Sequence, residues 1–100
     1  MSDRGSQRER AVRDLMTRQG WLAFRAPASL GIADVVALQD GLVPQLIEVK
    51  STKAGPYHSF GPEKRRALAD AAKRAGADAY LAWWPSRGTL TWIPEAEWPA

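Results

Sequence analysis

Two short apolar runs flank an Asp-Gly pair in residues 34–50, where the sequence reads DVVALQDGLVPQLIEVK. Asp-Gly between apolar runs is a strong hairpin signal, so this stretch predicts two antiparallel strands. Charged side chains interrupt both runs, at Asp34, Glu48 and Lys50. Burying a lone charge in a sheet is costly unless the charge is paired or binds a metal ion. The hairpin therefore constrains the fold and marks these three residues as candidates for a functional site.

The length and composition are those of an ordinary small globular protein. One hundred residues, 45% of them apolar and 25% charged, can form one small core, so we expect a single domain over 1–100. The absence of cysteine excludes disulfides, thiolate metal sites and cysteine nucleophiles. No apolar run approaches the roughly 20 residues of a membrane span. The polar start MSDRGSQRER lacks the apolar segment of a signal peptide. We expect a cytoplasmic protein with no membrane partner.

Local patterns predict the element order αβββαββ. The expected helices cover 6–19 and 62–75, and the expected strands cover 21–27, 32–39, 43–51, 78–85 and 89–94. The second helix joins the third and fourth strands, so these two strands are expected to be parallel, whereas the first three form an antiparallel meander. The fold class is therefore α/β, with a mixed central sheet flanked by helices.

Glu9 has two possible roles in the first helix. Ser6 can cap the helix, and Glu9 three residues later would complete a capping box. Alternatively, Glu9 shares a helix face with Val12 and Met16 and points toward the core. The local pattern favours the capping box.

The loop length of the hairpin decides whether its charges meet. Glu48 and Lys50 are two residues apart on one strand and share a face. A two-residue loop would pair residue 34 with 47 and direct Asp34 to the other face. A three-residue loop, or a bulge, would pair residue 34 with 48 and bring the two carboxylates together.

In the second register, the two acids are suited to a hard divalent cation, above all Mg²⁺, with the Val49 carbonyl as a further oxygen ligand. Lys50 would add a positive charge for a bound water or phosphate. Such a set can support metal-assisted hydrolysis of a phosphodiester. The alternative is a surface ion pair between Lys50 and one of the acids, although exposed pairs contribute little and do not need apolar flanks.

The segments GIADVVAL and LIEVKST resemble the signature of the PD-(D/E)xK nuclease superfamily, with a restriction-endonuclease-like core. Within it, the chain most resembles archaeal-type Holliday junction resolvases, which have an acidic first helix, a GW…R strand, a Ser/Gly loop and a DVVA…IEVKS hairpin. The likeness covers about residues 5–75. Ala33 replaces the usual proline before the first acid.

The resemblance implies a Mg²⁺-dependent endonuclease, with Mn²⁺ as a substitute, that acts on branched DNA as a homodimer. It implies these catalytic residues: Glu9, Ser29, Asp34, Glu48 and Lys50. The implied metal ligands are Glu9, Asp34, Glu48 and Val49. Phosphate and DNA contacts are expected from basic and loop residues, namely Arg4, Arg8, Arg10, Arg25, Lys53, Tyr57, His58, Lys64 and Arg65.

Three other functions remain open. Another nuclease of the superfamily, such as a nicking, flap or repair enzyme, would use the same residues. A non-catalytic DNA-binding protein could keep the fold, but it would not need the buried charges. A protein–protein module with an accidental match would show no metal dependence. Adjacent Trp83 and Trp84 cannot both face one core, so one of them is expected to face outward or contact a partner.

Overall fold

The computed structural model describes residues 4–26, 32–86 and 89–100. The elements follow the predicted order: α1 (Arg4–Arg18), β1 (Leu22–Arg25), β2 (Val35–Leu38), β3 (Gln45–Ser51), α2 (Pro62–Ala75), β4 (Asp78–Ser86), β5 (Thr89–Pro94) and a short 3₁₀ helix (Glu95–Glu97). The strands form one sheet in the spatial order β1-β2-β3-β4-β5. β3 and β4 are parallel, and the other neighbouring pairs are antiparallel. The predicted α/β class and mixed sheet are confirmed.

The β2–β3 hairpin has the register that brings its acids together. Val35, the residue after Asp34, pairs with Ile47, the residue before Glu48. The Asp34 amide also donates to the Ile47 carbonyl at 2.9 Å, so Asp34 is still bonded to β3 one residue before β2 begins. The turn is centred on Asp40-Gly41, with Gly41 at φ +80°. The connection is longer than three residues, but its register is the one that a three-residue loop would give.

The sheet separates two apolar clusters. In the first cluster, Val12 and Met16 of α1 pack on strand residues, among them Val35, Ile47 and Val49. In the second cluster, Leu68 and Ala72 of α2 pack with Phe60, Ala79 and Leu81. Residues of β3 alternate between these layers, as the pleat requires. The core is therefore built on both sides of the same central strand.

The ends of the two helices differ in how well local sequence predicts them. Pro62 opens α2 and Gly76, at φ +65°, ends it, as expected from proline at a first position and glycine at a C-terminal cap. The expected start of α1 at Ser6 is wrong, because the helix already includes Arg4. Ser6 lies inside the helix, and its hydroxyl accepts a hydrogen bond from Arg25 at 3.0 Å. The capping-box interpretation of Glu9 is wrong for the same reason.

Trp83 and Trp84 point to opposite layers, as strand alternation demands. Trp83 packs with the α2 cluster and Trp84 with the α1 cluster. The Trp83 indole N–H donates to the Thr52 carbonyl at 2.8 Å. Both rings are half-buried and pack within the fold. In the part of the chain that the structure describes, no helix is both long and apolar enough to cross a membrane.

Candidate active site

A cavity of about 820 Å³ lies where β3 approaches the first turns of both helices. Its floor is the hairpin, and its walls come from α1 on one side and from the loop before α2 on the other. The lining residues are Gly5, Ser6, Glu9, Arg25, Ala26, Ile32, Ala33, Asp34, Glu48, Val49, Lys50, Ser51, Thr52, Ser59, Lys64 and Ala67. Seven residues predicted from the sequence therefore share one cavity: Glu9, Arg25, Asp34, Glu48, Val49, Lys50 and Lys64.

Asp34 is held in place by the neighbouring strand. The Val49 amide N–H donates to the Asp34 Oδ2 at 2.8 Å. This bond fixes the carboxylate at the end of the hairpin. The second oxygen of the same carboxylate keeps its capacity to accept a ligand. The sequence suggested a role for the Val49 carbonyl, whereas the contact seen at Val49 uses its amide.

Both carboxyl groups are harder to ionise than usual. Burial raises the pKa of Asp34, and the hydrogen bond from Val49 opposes part of that rise. Burial also raises the pKa of Glu48, and the negative charge of Asp34 raises it further, while Lys50 lowers it. Two acids that repel each other in a partly desolvated cavity are typical of functional sites rather than of surface ion pairs.

Lys50 supplies the positive charge beside these acids. Its Nζ lies 3.2 Å from Glu48 Oε2, and the two side chains are only 17% and 14% exposed. The ion pair considered as an alternative therefore exists, but it is partly buried and faces the cavity. Because Lys50 contacts Glu48 and not Asp34 among the ion pairs of the described residues, the charge of Asp34 is left at the floor of the cavity, where it can attract a cation.

Glu9 lies on the wall of the same cavity with a different partner. Arg25 donates from Nε to Glu9 Oε1 at 3.1 Å and from Nη2 to the Ser6 hydroxyl at 3.0 Å. This pair joins α1 to β1. The charge of Glu9 is still close enough to contribute to the raised pKa of Asp34.

The donor set fits a hard divalent cation in its chemistry. Asp34 and Glu48 offer carboxylate oxygens, and Mg²⁺ is commonly bound by one or two carboxylates together with waters and substrate phosphates. Among the described residues, no three acidic, histidine or cysteine side chains form a cluster that could hold a metal ion. The arrangement is thus a two-carboxylate site, with Glu9 nearby and paired with Arg25.

Sequence reasoning missed part of the cavity wall. Ser59 and Ser51 line it without having been proposed, and Lys64 was assigned only a DNA contact. The positive charge of Lys64 lowers the pKa of both Asp34 and Glu48, so it acts on the same acids as Lys50. The local signal that could have placed Lys64 at the cavity was Pro62, because proline marks the first turn of α2 directly after the long loop.

The remaining predicted DNA contacts divide by location. Arg8 and Lys53 line a second, adjoining cavity. Arg10 and His58 are exposed. The side chain of Arg4 and the whole of Ser29 lie outside what the structure describes, so their predicted roles stay predictions.

Arg65 is committed to the fold. It is 8% exposed. It donates to the Phe60 carbonyl at 2.7 Å and to the Ala100 carbonyl at 3.2 Å. The ring of Tyr57 lies 5.2 Å from its guanidinium carbon. DNA contacts by Arg65 and Tyr57 stay untested predictions, and the side chains already serve to hold the loop and the C-terminal segment together.

Comparisons with known proteins agree on one family. The family model for the archaeal Holliday junction resolvase (Hjc) matches residues 1–97. The chain is 35% identical over 83 residues to the crossover junction endodeoxyribonuclease Hjc of Sulfurisphaera tokodaii. It is 31% identical over 83 residues to the same enzyme of Sulfolobus acidocaldarius. Each match covers 78% of this chain and 57% of the relative, so the chain spans little more than half the length of these relatives.

A solved structure has the same fold. The structure of Archaeoglobus fulgidus Hjc, a Holliday junction resolvase, superposes with a TM-score of 0.78 at 28% identity. The match covers 92% of this chain and 73% of the other. Similarity of this extent places the described elements in the same spatial arrangement as in that protein.

Proposed function

The chain belongs to the archaeal Holliday junction resolvase family, and from this premise we propose that it is a structure-selective DNA endonuclease that cuts four-way junctions. The reaction is hydrolysis of a phosphodiester and depends on a divalent metal ion. Mg²⁺ is the natural ion in this proposal, and Mn²⁺ substitutes for it. Because the substrate is DNA, we propose that the protein acts in the cytoplasm.

The observation that supports this proposal best is the meeting of Asp34 and Glu48 at the floor of one cavity, beside Lys50. The hairpin pairs Val35, next to Asp34, with Ile47, next to Glu48, and both acids line the cavity. Burial raises the pKa values of both acids; the charge of Asp34 raises that of Glu48 further, and the charge of Glu9 adds to the rise at Asp34. Retaining two such carboxylates costs stability, and a binding partner of positive charge would remove that cost.

In the proposed mechanism, Asp34 and Glu48 are the residues that would hold the divalent ion. When bound, that ion lowers the pKa of the attacking water and neutralises charge on the phosphate. The Val49 N–H keeps the Asp34 carboxylate oriented. Water attacks phosphorus and gives up a proton to solvent, the bond from phosphorus to the 3′ oxygen breaks with its electron pair on that oxygen, and the oxygen takes a proton from solvent, so that the products carry a 5′-phosphate and a 3′-hydroxyl.

The two lysines act on the phosphate in this proposal. Lys50, held by Glu48 at 3.2 Å, is placed to donate to the water or to a phosphate oxygen. Lys64 extends the positive field across the cavity from the start of α2. Preorganised charges of this kind stabilise a transition state more strongly than the same charges in bulk water.

Glu9 completes the proposed site from α1. It would either add a third carboxylate on substrate binding or keep Arg25 aimed at a phosphate, since the two are paired at 3.0 Å. Ser29 is proposed as a further catalytic residue from the family resemblance alone.

We propose a homodimer as the active form. Two sites related by a two-fold axis can nick two strands of a junction symmetrically. The basic residues Arg4, Arg8, Arg10, Lys53 and His58 are proposed to contact phosphates without reading sequence.

The deciding experiment is cleavage of a labelled four-way junction with Mg²⁺, beside a linear duplex and a flap of the same sequence. Wild type should make paired nicks in the junction only, and Glu48→Gln should bind the junction without cutting it. The exposed Glu95→Gln, with the same change of charge, should cut like wild type. Cutting of the flap or duplex instead would support nuclease activity but refute the proposal that the protein is a Holliday junction resolvase. Binding without cutting in both Mg²⁺ and Mn²⁺ would refute the enzyme.

A further inference from the structure

A second cavity, of about 680 Å³, adjoins the candidate active site. Ser51 and Thr52 line both cavities, so the two are separated only by the end of β3. Its other walls come from the first turn of α1 and from the end of β4. The lining residues are Gln7, Arg8, Ser51, Thr52, Lys53, Trp84, Pro85 and Ser86.

The charges of this second cavity are uniformly positive. Arg8 and Lys53 line it, and none of its described lining residues is acidic. None of the ion pairs found among the described residues involves either of these cations, whereas Arg25 is paired with Glu9 and Lys50 with Glu48. Serine and threonine hydroxyls add hydrogen-bond donors. A concave surface with two cations and several hydroxyls has the chemistry to bind a phosphate group.

Arg8 is held in a defined position. Its guanidinium carbon lies 4.5 Å from the centre of the Trp84 ring, in a cation–π stack. The Trp84 indole N–H is buried and donates to no acceptor among the described residues. The neighbouring Trp83 indole, in contrast, donates to the Thr52 carbonyl. The stack with Arg8 is therefore the polar interaction that the described structure assigns to Trp84.

We propose that the second cavity binds the phosphodiester next to the one that is cut, with Arg8 and Lys53 as its ligands. This inference rests on the proposed function, since it places one DNA strand across both cavities. Lys50 faces the first cavity, and Lys53 lies three residues later in the second. A strand that leaves the first cavity over Ser51 and Thr52 enters a site that is already positive. Trp84 is a positioning residue, because it acts by orienting Arg8.

The test combines a protein variant with a change in the DNA. Single neutral methylphosphonate linkages are placed, one position at a time, on either side of the cut in a four-way junction. Junction binding is measured in EDTA, so that no strand is cut, for wild type and Arg8→Gln. The charge-matched control is Arg18→Gln, an exposed arginine about 15 Å further along the same helix.

Wild type should lose affinity at one linkage adjacent to the cut, and Arg8→Gln should lose clearly less affinity at that linkage, because only Lys53 then remains to bind the phosphate. Arg8→Gln and Lys53→Gln should each lower the slope of log K against log salt by about one. Arg18→Gln should keep the sensitivity to the linkage. Equal behaviour of Arg8→Gln and Arg18→Gln would overturn the proposal, as would a sensitivity to the linkage that is undiminished in Arg8→Gln.

The role of Trp84 has a separate readout. Trp84→Phe retains an aromatic face and should keep the sensitivity to the linkage, whereas Trp84→Leu should reduce it as Arg8→Gln does while the protein remains folded by circular dichroism. If Trp84→Leu does not fold, the comparison of Arg8→Gln with Arg18→Gln decides the proposal.

Failure of the proposed function is distinguishable from failure of this site. A wild-type protein that binds but never cuts would refute the nuclease, yet an Arg8-dependent sensitivity to one linkage of the junction would still show that the second cavity binds a phosphate. A wild-type protein that cuts, with Arg8→Gln indistinguishable from Arg18→Gln, would refute the second cavity alone.

Discussion

The two faces of β3 differ in what they contribute to the protein. Ile47 and Val49 lie in the cluster beneath α1 and are almost fully buried. Glu48 and Lys50, the alternate residues of the same strand, face the cavity. One face stabilises the fold by removing apolar surface from water. The other holds partly desolvated charges at a cost in stability. A seven-residue strand can therefore serve stability and chemistry at once, because alternate side chains are separated by the sheet.

The largest effect expected from this comparison is on catalysis. Glu48→Gln removes one charge from the cavity face and should lower junction cleavage by about 100-fold or more, as loss of a directly acting charged group does. Its free energy of unfolding at neutral pH should not fall, because the lost carboxylate is one that burial disfavours. Single-turnover cleavage and urea unfolding measure the two quantities. A variant that is both inactive and unfolded would contradict the separation of the two faces.

The second effect concerns the core face. Ile47→Ala should lower the free energy of unfolding by about 2–5 kcal/mol, since the side chain is fully buried and leaves a cavity. Leu22→Ala, on the exposed edge strand at 67% exposure, is the matched control and should cost less than about 0.5 kcal/mol. Chemical denaturation of both variants makes the comparison. If Ile47→Ala and Leu22→Ala lowered the free energy of unfolding equally, Leu22 would have to be buried in solution, as it would be at a subunit interface.

The third effect is metal binding without turnover. Mg²⁺ at a concentration 100 times its dissociation constant should stabilise the wild type by about 2.7 kcal/mol, because the ion binds only the folded state. Glu48→Gln and Asp34→Asn should lose most of this stabilisation, and Glu95→Gln should retain it. Thermal melting with Mg²⁺ and with EDTA gives the values. Equal stabilisation of all four proteins would place the ion elsewhere.

The smallest effect is the pH dependence of stability in EDTA. The folded protein holds the protons of Asp34 and Glu48 more tightly than the unfolded chain does, because both pKa values are raised. The wild type should therefore lose stability as the pH rises from the ordinary values near 4 through the raised ones. Glu48→Gln should lose less over the same window, and Glu95→Gln should follow the wild type. A wild type that gains stability relative to Glu48→Gln as the pH rises would show that the sign is wrong.

Most of the fold could be predicted because it depends on local pattern. The apolar runs, Pro62 and Gly76 gave the element order and the limits of α2 to within a residue. The predicted start of α1 was wrong because Ser6 has the side chain of a helix cap, and a local pattern does not define a helix end to within one or two residues. In the tertiary structure, Ser6 instead accepts a hydrogen bond from Arg25, nineteen residues away. Arg65 was predicted to contact DNA, and its burial was missed because it depends on Phe60 and the C-terminal segment, which no local window contains.

The sequence by itself determined that Glu48 and Lys50 share a face, because side chains in a strand alternate with a period of two. It also carried the resemblance to the resolvase family, through the segments GIADVVAL and LIEVKST that contain Asp34, Glu48 and Lys50. Only the tertiary structure decided that Val35 pairs with Ile47, which brings Asp34 to Glu48. It also decided that Glu9 pairs with Arg25 and that Arg8 stacks on Trp84. Such contacts join residues that are distant in sequence, and their geometry is set by packing across elements rather than by any local preference.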